Sequence, residues 1–351
     1  MSQAFQLCIL RLSSIGDVCH AAAMVTRIRK HRPDIKITWI IGKTEHELLE
    51  GMAGIEFIVY DKELGKKAKE QLEIALGERI FDAFFMMQVG LKANVLSNVV
   101  KARRRIGFDW KRSKRGQWFF ANERIEAKPY AHVLEGFMGF ADKLGVPSDK
   151  TPNWDMPLAE SDWQWAKNQT SLLGKYVVIS PAASTAERNW TVHGYVAISQ
   201  YLSEKGYKIV LCGMHDPINA IVSDGILQAE SVITLNLVGK TSLKQMLALL
   251  AGAELVIAPD AGPAHMATTM STPVVGLYAH SNFRRTGPYL SQDFVASVYE
   301  INVKVQKGKE WVYLPWGTRA KGKDLMTHLL VKTVLKKVDL TLRYLESLDS
   351  K

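Results

Sequence analysis

Short apolar runs alternate with segments of helical period along almost the whole chain, and no other feature constrains the fold as strongly. Residues 5–12 (FQLCILRL) form such a run. After Ser13-Ser14-Ile15-Gly16-Asp17, the apolar residues Ala21, Met24, Val25 and Ile28 recur at helical spacing. The pattern then predicts a strand at 35–41, a helix at 45–52, a strand at 57–60, an amphipathic helix at 66–76, a strand at 81–88 and a helix at 131–144, which Gly145 and Pro147 stop. Strands alternating with helices build parallel α/β layers. Residues 147–157 (PSDKTPNWDMP) are polar and Pro-rich with no apolar period, as a domain edge is. A second run follows, with strands at 176–180, 208–212, 255–258 and 273–278 and helices at 195–204, 218–227, 243–251 and 264–270. Both halves read as doubly wound, and 351 residues suffice for two domains with separate cores. The boundaries expected are 1–160, 161–323 and a tail, 324–351.

That tail has apolar residues Leu325, Leu329, Val334, Val338, Leu340, Leu342, Leu345 and Leu348 interleaved with Lys332, Lys336 and Lys337. It predicts an amphipathic helix that either crosses back to brace the first domain or lies on a membrane surface. Hydrophobic residues make up 47% of the chain and charged residues 23%, an ordinary globular balance that excludes disorder. No stretch has the 18 or so uncharged apolar residues of a membrane span, and the N-terminus lacks a basic n-region, so a cytosolic protein is expected. Cys8, Cys19 and Cys212 are scattered, without zinc-ligand spacing, and read as buried thiols. The net charge of +10 is unevenly placed: residues 101–128 carry +7 and residues 304–351 carry +6. Local patches of this kind favour an anionic partner such as nucleic acid, phosphate or a charged membrane surface.

Three loops are candidates for chemistry. Ser13, Ser14, Gly16 and Asp17 follow the first strand, and in open α/β sheets ligands bind beyond the carboxyl ends of strands. Asp17 is either a helix cap or a base aimed at a ligand. Asp260-Ala261-Gly262-Pro263-Ala264-His265 opens a helix after a strand, where free N–H groups of Ala261 and Gly262 would hold a phosphate. His265 would touch that phosphate or bond within the core. Residues 180–190 (SPAASTAERNW) follow another strand, and Arg188 there can pair bidentately with phosphate oxygens. No GxGxxG or GxxxxGK[ST] follows any strand, His46-Glu47-Leu48-Leu49-Glu50 lacks the second His of a zinc hydrolase, and no DxD pair requires a metal. The basic run 101–115, interleaved with aromatics, reads as a solvated loop or a site for an anionic acceptor or membrane.

The loop SSIGD (13–17), the segment 184–190, PDAGPAHMATTMSTPVVGLY (259–278) and RRTGPY (284–289) together resemble glycosyltransferase family 9, the bacterial lipopolysaccharide heptosyltransferases. The likeness runs in order over most of the chain. The stretches RRRIGFDWKRSKRGQWFF and EWVYLPWGTR look most like the heptosyltransferase I type. The resemblance implies a GT-B architecture: two Rossmann-like domains facing a cleft, the acceptor on the first and the nucleotide sugar on the second. It implies ADP-L-glycero-β-D-manno-heptose as donor, Kdo of lipid A as acceptor, and inverting transfer without metal or other cofactor at the cytoplasmic face of the inner membrane. Asp17 matches the family's base and Arg188 the position where a Lys is common. Donor contacts are implied for Ala183, Ser184, Asp216, Thr241, Asp260, Ala261, Gly262 and His265, and acceptor contacts for Ser13, Ser14, Gly16, Arg103, Arg104 and Arg105. Ala261 stands where the family often carries Thr, leaving the phosphate to backbone N–H groups. Two other readings stay open: the same fold using another nucleotide sugar or adding the second heptose, and a non-enzymatic nucleic-acid binder.

Overall fold

The computed structural model describes residues 4–229 and 232–349, in two compact units, Met1–Pro157 and Leu158–Lys351. The first unit is built on strands β1 (Gln6–Leu10), β2 (Lys36–Gly42), β3 (Ile55–Tyr60), β4 (Ile80–Met86), β5 (Lys101–Gly107) and β6 (Glu123–Arg124). All pair in parallel, in the order β3-β2-β1-β4-β5-β6, with Cys8 in register with Thr38 on one side and Phe84 on the other. Residues 7–10 of β1 are buried, as they must be in a central strand covered on both faces; this explains its unbroken apolar run. Helices α1 (Ile15–His31), α2 (Lys43–Leu49), α3 (Lys66–Leu76), α4 (Leu91–Leu96) and α5 (Val133–Lys143) complete the unit.

The second unit repeats the plan with β7 (Tyr176–Ile179), β8 (Lys208–Leu211), β9 (Ile233–Asn236), β10 (Leu255–Pro259), β11 (Val274–Tyr278) and β12 (Ala296–Ser297). The order is β12-β11-β10-β7-β8-β9, again parallel. Its helices are α6 (Glu160–Thr170), α7 (Val192–Glu204), α8 (Pro217–Ala229), α9 (Leu243–Ala251), α10 (Gly262–Thr269), α11 (Phe283–Thr286), α12 (Tyr299–Lys307) and α13 (Val331–Asp349). Each sheet reverses its winding once, between β1 and β4 and between β7 and β10. At such a reversal the flanking connections leave in opposite directions and open a crevice at the carboxyl edge.

The apolar stripe of the C-terminal helix packs on the second unit's own core: Val334, Val338 and Leu342 of α13 are buried there, against α7, β11 and β12. That same burial uses the face a membrane-lying helix would need. The basic run at 101–107 is no solvated loop but β5, an inner strand between β4 and β6. Its arginines are accommodated because each head group finds a partner. Arg103 pairs with Asp82 at 2.6 Å, and Arg104 is bidentate on Glu123 at 2.7 and 3.0 Å. Arg105 donates to the carbonyls of Ser97, Val100 and Phe120 at 3.0, 2.7 and 2.7 Å, with its guanidinium 5.1 Å from the Phe84 ring centroid. All three cysteines are free and buried, and burial pushes the Cys19 and Cys212 thiols up to about 12.

Candidate functional site

The first candidate site lies where β1 and β4 part. Ser14 is the N-cap residue of α1, so Asp17 falls in the first turn rather than at the cap. The cap reading of Asp17 therefore gives way. Its carboxylate instead takes an ion pair from the buried Arg11 guanidinium and lies 3.4 Å from the Ser14 hydroxyl. Arg11 also donates to the Met87 carbonyl at 2.7 Å, crossing the gap between the two strand ends, and lies 5.4 Å from the centroid of Phe137. Burial pulls the Arg11 pKa down, and the carboxylates of Asp17 and Glu45 oppose it. Gln88 ties the loop from the other side: its Oε1 accepts from the N–H groups of Leu12 and Ser13 at 3.0 and 3.2 Å. Gly16 is buried in the first helical turn. The Asp17 side chain keeps 34% of its surface exposed, so a carboxylate fixed in direction still faces solvent. Such a group can accept a proton from a bound hydroxyl.

The second candidate site, in the second unit, lies where β7 and β10 part. After β10, Asp260 and Ala261 lead into α10, and Ala261 sits at its N-cap without any side-chain cap. The first amides of the helix lack intrahelical acceptors, and the helix dipole adds positive potential there. Pro263 occupies the first turn, where it costs no hydrogen bond. Arg188, from the loop after β7, is held by three bonds: Nη1 to the Asp260 carbonyl at 2.7 Å, Nε to Thr185 Oγ1 at 2.8 Å and Nη2 to Ser184 Oγ at 3.0 Å. The Asp260 carboxylate accepts from Ser281 Oγ at 2.6 Å. His280 bonds the Glu187 carbonyl at 2.7 Å, fastening the same loop to the end of β11. Trp190 closes the loop: buried against Tyr195 at 5.4 Å between centroids, it donates its indole N–H to the Leu329 carbonyl at 2.8 Å. A cation, hydroxyls and a helix N-terminus thus converge on one crevice, which suits a diphosphate.

Not every residue picked from the sequence joins these groups. Ala183 is buried, and its N–H is taken by Asn189 Oδ1 at 2.7 Å. Asp216 caps α8, accepting from the N–H groups of Ile218 and Asn219 at 3.0 Å each and from the Asn219 side chain at 2.6 Å. Thr241 reaches the carboxyl edge beside Cys212, its hydroxyl 4.0 Å from the sulfur. His265 is buried in α10. Arg104 and Arg105 are occupied inside the first unit, so a direct acceptor role is not what their geometry serves; Arg103 remains 73% exposed. Sequence reasoning missed Arg11, Gln88 and Ser281. Arg11 alone had a visible signal, as the single charge in the apolar run 5–12.

The model of glycosyltransferase family 9 (heptosyltransferase) matches residues 70–329. The lipopolysaccharide core heptosyltransferase OpsX of Haemophilus influenzae is 42% identical over 329 residues, 94% of either chain. Among solved structures, a glycosyl transferase family 9 protein from Veillonella parvula aligns with a TM-score of 0.79 at 18% identity, covering 98% of this chain and 99% of its own. The E. coli heptosyltransferase WaaC, solved with ADP, aligns with a TM-score of 0.72 at 18% identity, covering 96% and 100%. These last two are likenesses of fold, and the fold is that of the paired parallel sheets described above. By the family match and the identity shared with a relative along nearly its full length, the chain belongs to glycosyltransferase family 9, the heptosyltransferases, and is a glycosyltransferase of GT-B architecture.

Proposed function

We propose that this enzyme, a heptosyltransferase of lipopolysaccharide core biosynthesis, transfers L-glycero-D-manno-heptose from ADP-L-glycero-β-D-manno-heptose to a Kdo hydroxyl of lipid A at the cytoplasmic face of the inner membrane. The observation that carries the reading is the Arg188 fork, fixed by Ser184, Thr185 and the Asp260 carbonyl beside the uncapped start of α10. The name of the Haemophilus relative and the ADP in the E. coli WaaC structure support it.

Asp17 takes the proton of the Kdo hydroxyl as its oxygen bonds to the anomeric carbon. The bond from that carbon to the β-phosphate oxygen breaks, and its electron pair leaves with ADP. One displacement inverts the β-heptose to an α-linkage and needs no covalent enzyme intermediate. The charge growing on ADP is met by Arg188 and the amides of Ala261 and Gly262, electrostatic stabilisation that a divalent ion would otherwise supply. Arg11 holds the Asp17 carboxylate in place, and Gln88 holds the backbone from which it is presented.

The test is transfer of labelled heptose from ADP-heptose to Kdo-lipid A, to its Kdo-phosphorylated form and to a core already carrying one heptose, with EDTA throughout. Product on either of the first two is expected. Product only on the third reassigns the enzyme to the second heptose, and product on none overturns the reading.

A further inference from the structure

The loop joining β5 to β6 displays its aromatic residues to solvent. Trp110 is 63% exposed, Phe119 80% and Trp118 37%, and they form one cluster with ring centroids 5.7 Å apart for the two tryptophans and 5.4 Å apart for Trp118 and Phe119. Arg124 stacks over Trp110 at 4.1 Å. Lys111, Lys114 and Arg115 lie in the same loop, between Trp110 and Trp118 in the chain, exposed and without an ion pair among the described residues. Arg112 is the exception, paired with Asp109 at 3.1 Å.

Loose chain does not explain this display, because buried polar side chains hold the loop from beneath. The Asp109 carboxylate accepts from the N–H groups of Lys111 and Arg112 at 3.0 and 3.3 Å. Gln117 accepts from the Phe108 N–H at 3.1 Å and donates to the Met86 carbonyl at 2.8 Å. Asn94 donates to the Arg115 carbonyl at 2.9 Å, across a left-handed turn at Arg115 and Gly116. With its inner side bonded to the end of β4, the loop turns its aromatic side chains outward. Gln117 grips Met86, and the next carbonyl, that of Met87, receives Arg11, so loop and Asp17 share one sheet edge.

From the exposed Trp110, Trp118 and Phe119, with the unpaired Lys111, Lys114 and Arg115 exposed on the same loop, we infer that this loop docks the enzyme onto an anionic lipid surface. Indole rings settle at the headgroup level of a bilayer, an apolar ring such as that of Phe119 adds buried apolar area, and cations on the same loop are drawn to anionic lipid. An exposed aromatic cluster with an excess of positive charge fits a flat, negatively charged interface rather than an enclosed ligand. The inference takes its purpose from the lipid-linked acceptor proposed above, and it moves the membrane contact from Arg103, Arg104 and Arg105 to the tip of the loop.

The experiment is co-sedimentation of the full chain with vesicles of phosphatidylcholine alone or mixed with phosphatidylglycerol, at low and high salt. Binding is expected only to the mixed vesicles and weakens with salt. Each cation near such a surface is worth about fivefold, so K111A/K114A/R115A should lose on the order of 10²-fold in partitioning. W118A/F119A should lose about tenfold, with thermal unfolding as the check on folding. Wild-type binding by the charge variant overturns the proposal. So does tighter binding of the wild-type loop to an oligonucleotide than to the vesicles, or self-association without lipid that F119A abolishes. The assay contains neither donor nor acceptor. A chain that docks but transfers no heptose therefore sinks the proposed reaction alone, and one that transfers heptose but binds vesicles independently of the loop sinks this proposal alone.

Discussion

Replacing Asp17 by Asn separates the two tasks assigned to that side chain. The amide keeps the shape but removes both the proton acceptor and the charge opposite Arg11. Loss of a general base lowers turnover by roughly 10²–10⁴, or about 3–5 kcal/mol in barrier. ADP affinity should hold, since the residues assigned to the nucleotide all lie in the second unit. The stability cost follows from the surroundings of Arg11, whose side chain is only 9% exposed. Breaking a fully buried pair from one side costs about 3–5 kcal/mol. Here water reaches Asp17, and the Asn oxygen still accepts from Arg11, so about 1–2 kcal/mol is expected, a Tm lowered by about 2–8 °C. Arg11→Met removes the cation instead and leaves the Met87 carbonyl without that donor. In the double variant the pair is gone, so its destabilisation should fall short of the sum by about 1 kcal/mol or more, while transfer stays lost. The measurements are initial rates of heptose transfer, ADP titration calorimetry and thermal unfolding of all four proteins. Full turnover by Asp17→Asn would remove the base from the mechanism, and strict additivity in the cycle would refute the argued pairing.

Three further outcomes are expected. Arg105→Ala strips a donor from three carbonyls and should cost about 2–4 kcal/mol in unfolding free energy, whereas Arg103→Ala, on an exposed side chain, should stay within about 0.5 kcal/mol; equal effects would contradict the bonding described. Arg188→Ala should lower kcat by about 10²–10³, and Arg188→Lys should recover only part, because a single ammonium cannot replace the three-way fork; full recovery by Lys would show that charge alone suffices. The hydrogen bond from Arg104 holds the Glu123 carboxyl below its usual pKa, 4.5. Its folded pKa then lies under the unfolded one, so its contribution is complete above about pH 4.5 and fades as pH falls through the folded value. Chemical denaturation across that range should show a smaller acid loss in Glu123→Gln than in the wild type.

The parts of the fold open to sequence reading were those whose physics is local. Central parallel strands such as β1 and β10 are buried on both faces, so they appear as unbroken apolar runs. The loops that follow them stand out by their small residues. β5 was hidden because its arginines are made tolerable by Asp82, Glu123 and the Phe120 carbonyl, partners that lie 21, 19 and 15 residues away and that no periodicity reports. α6 was hidden for the opposite reason: Ala166 is its only buried residue, so it has scarcely an apolar face to detect. For α13 the amphipathic stripe was plain, but a stripe does not name the surface it meets. At the site, Asp17, Arg188 and Asp260 were legible as types in the right loops. That Asp17 is gripped by Arg11, and Asp260 by Ser281, required the strands to be laid side by side.

The indole bond from Trp190 to the Leu329 carbonyl makes the stretch before α13 a working component of the loop that carries Arg188. Gly194 seals the arrangement, because a Cβ there would come within 2.5 Å of the Trp190 ring. Chain upstream of α13 and the segment bearing Arg188 are thus moored to each other, although 139 positions separate the two bonded residues. Removing or exchanging the C-terminal segment would therefore unmoor the loop that carries Arg188, and a tail that looks like an appendage behaves as the far end of that loop's frame.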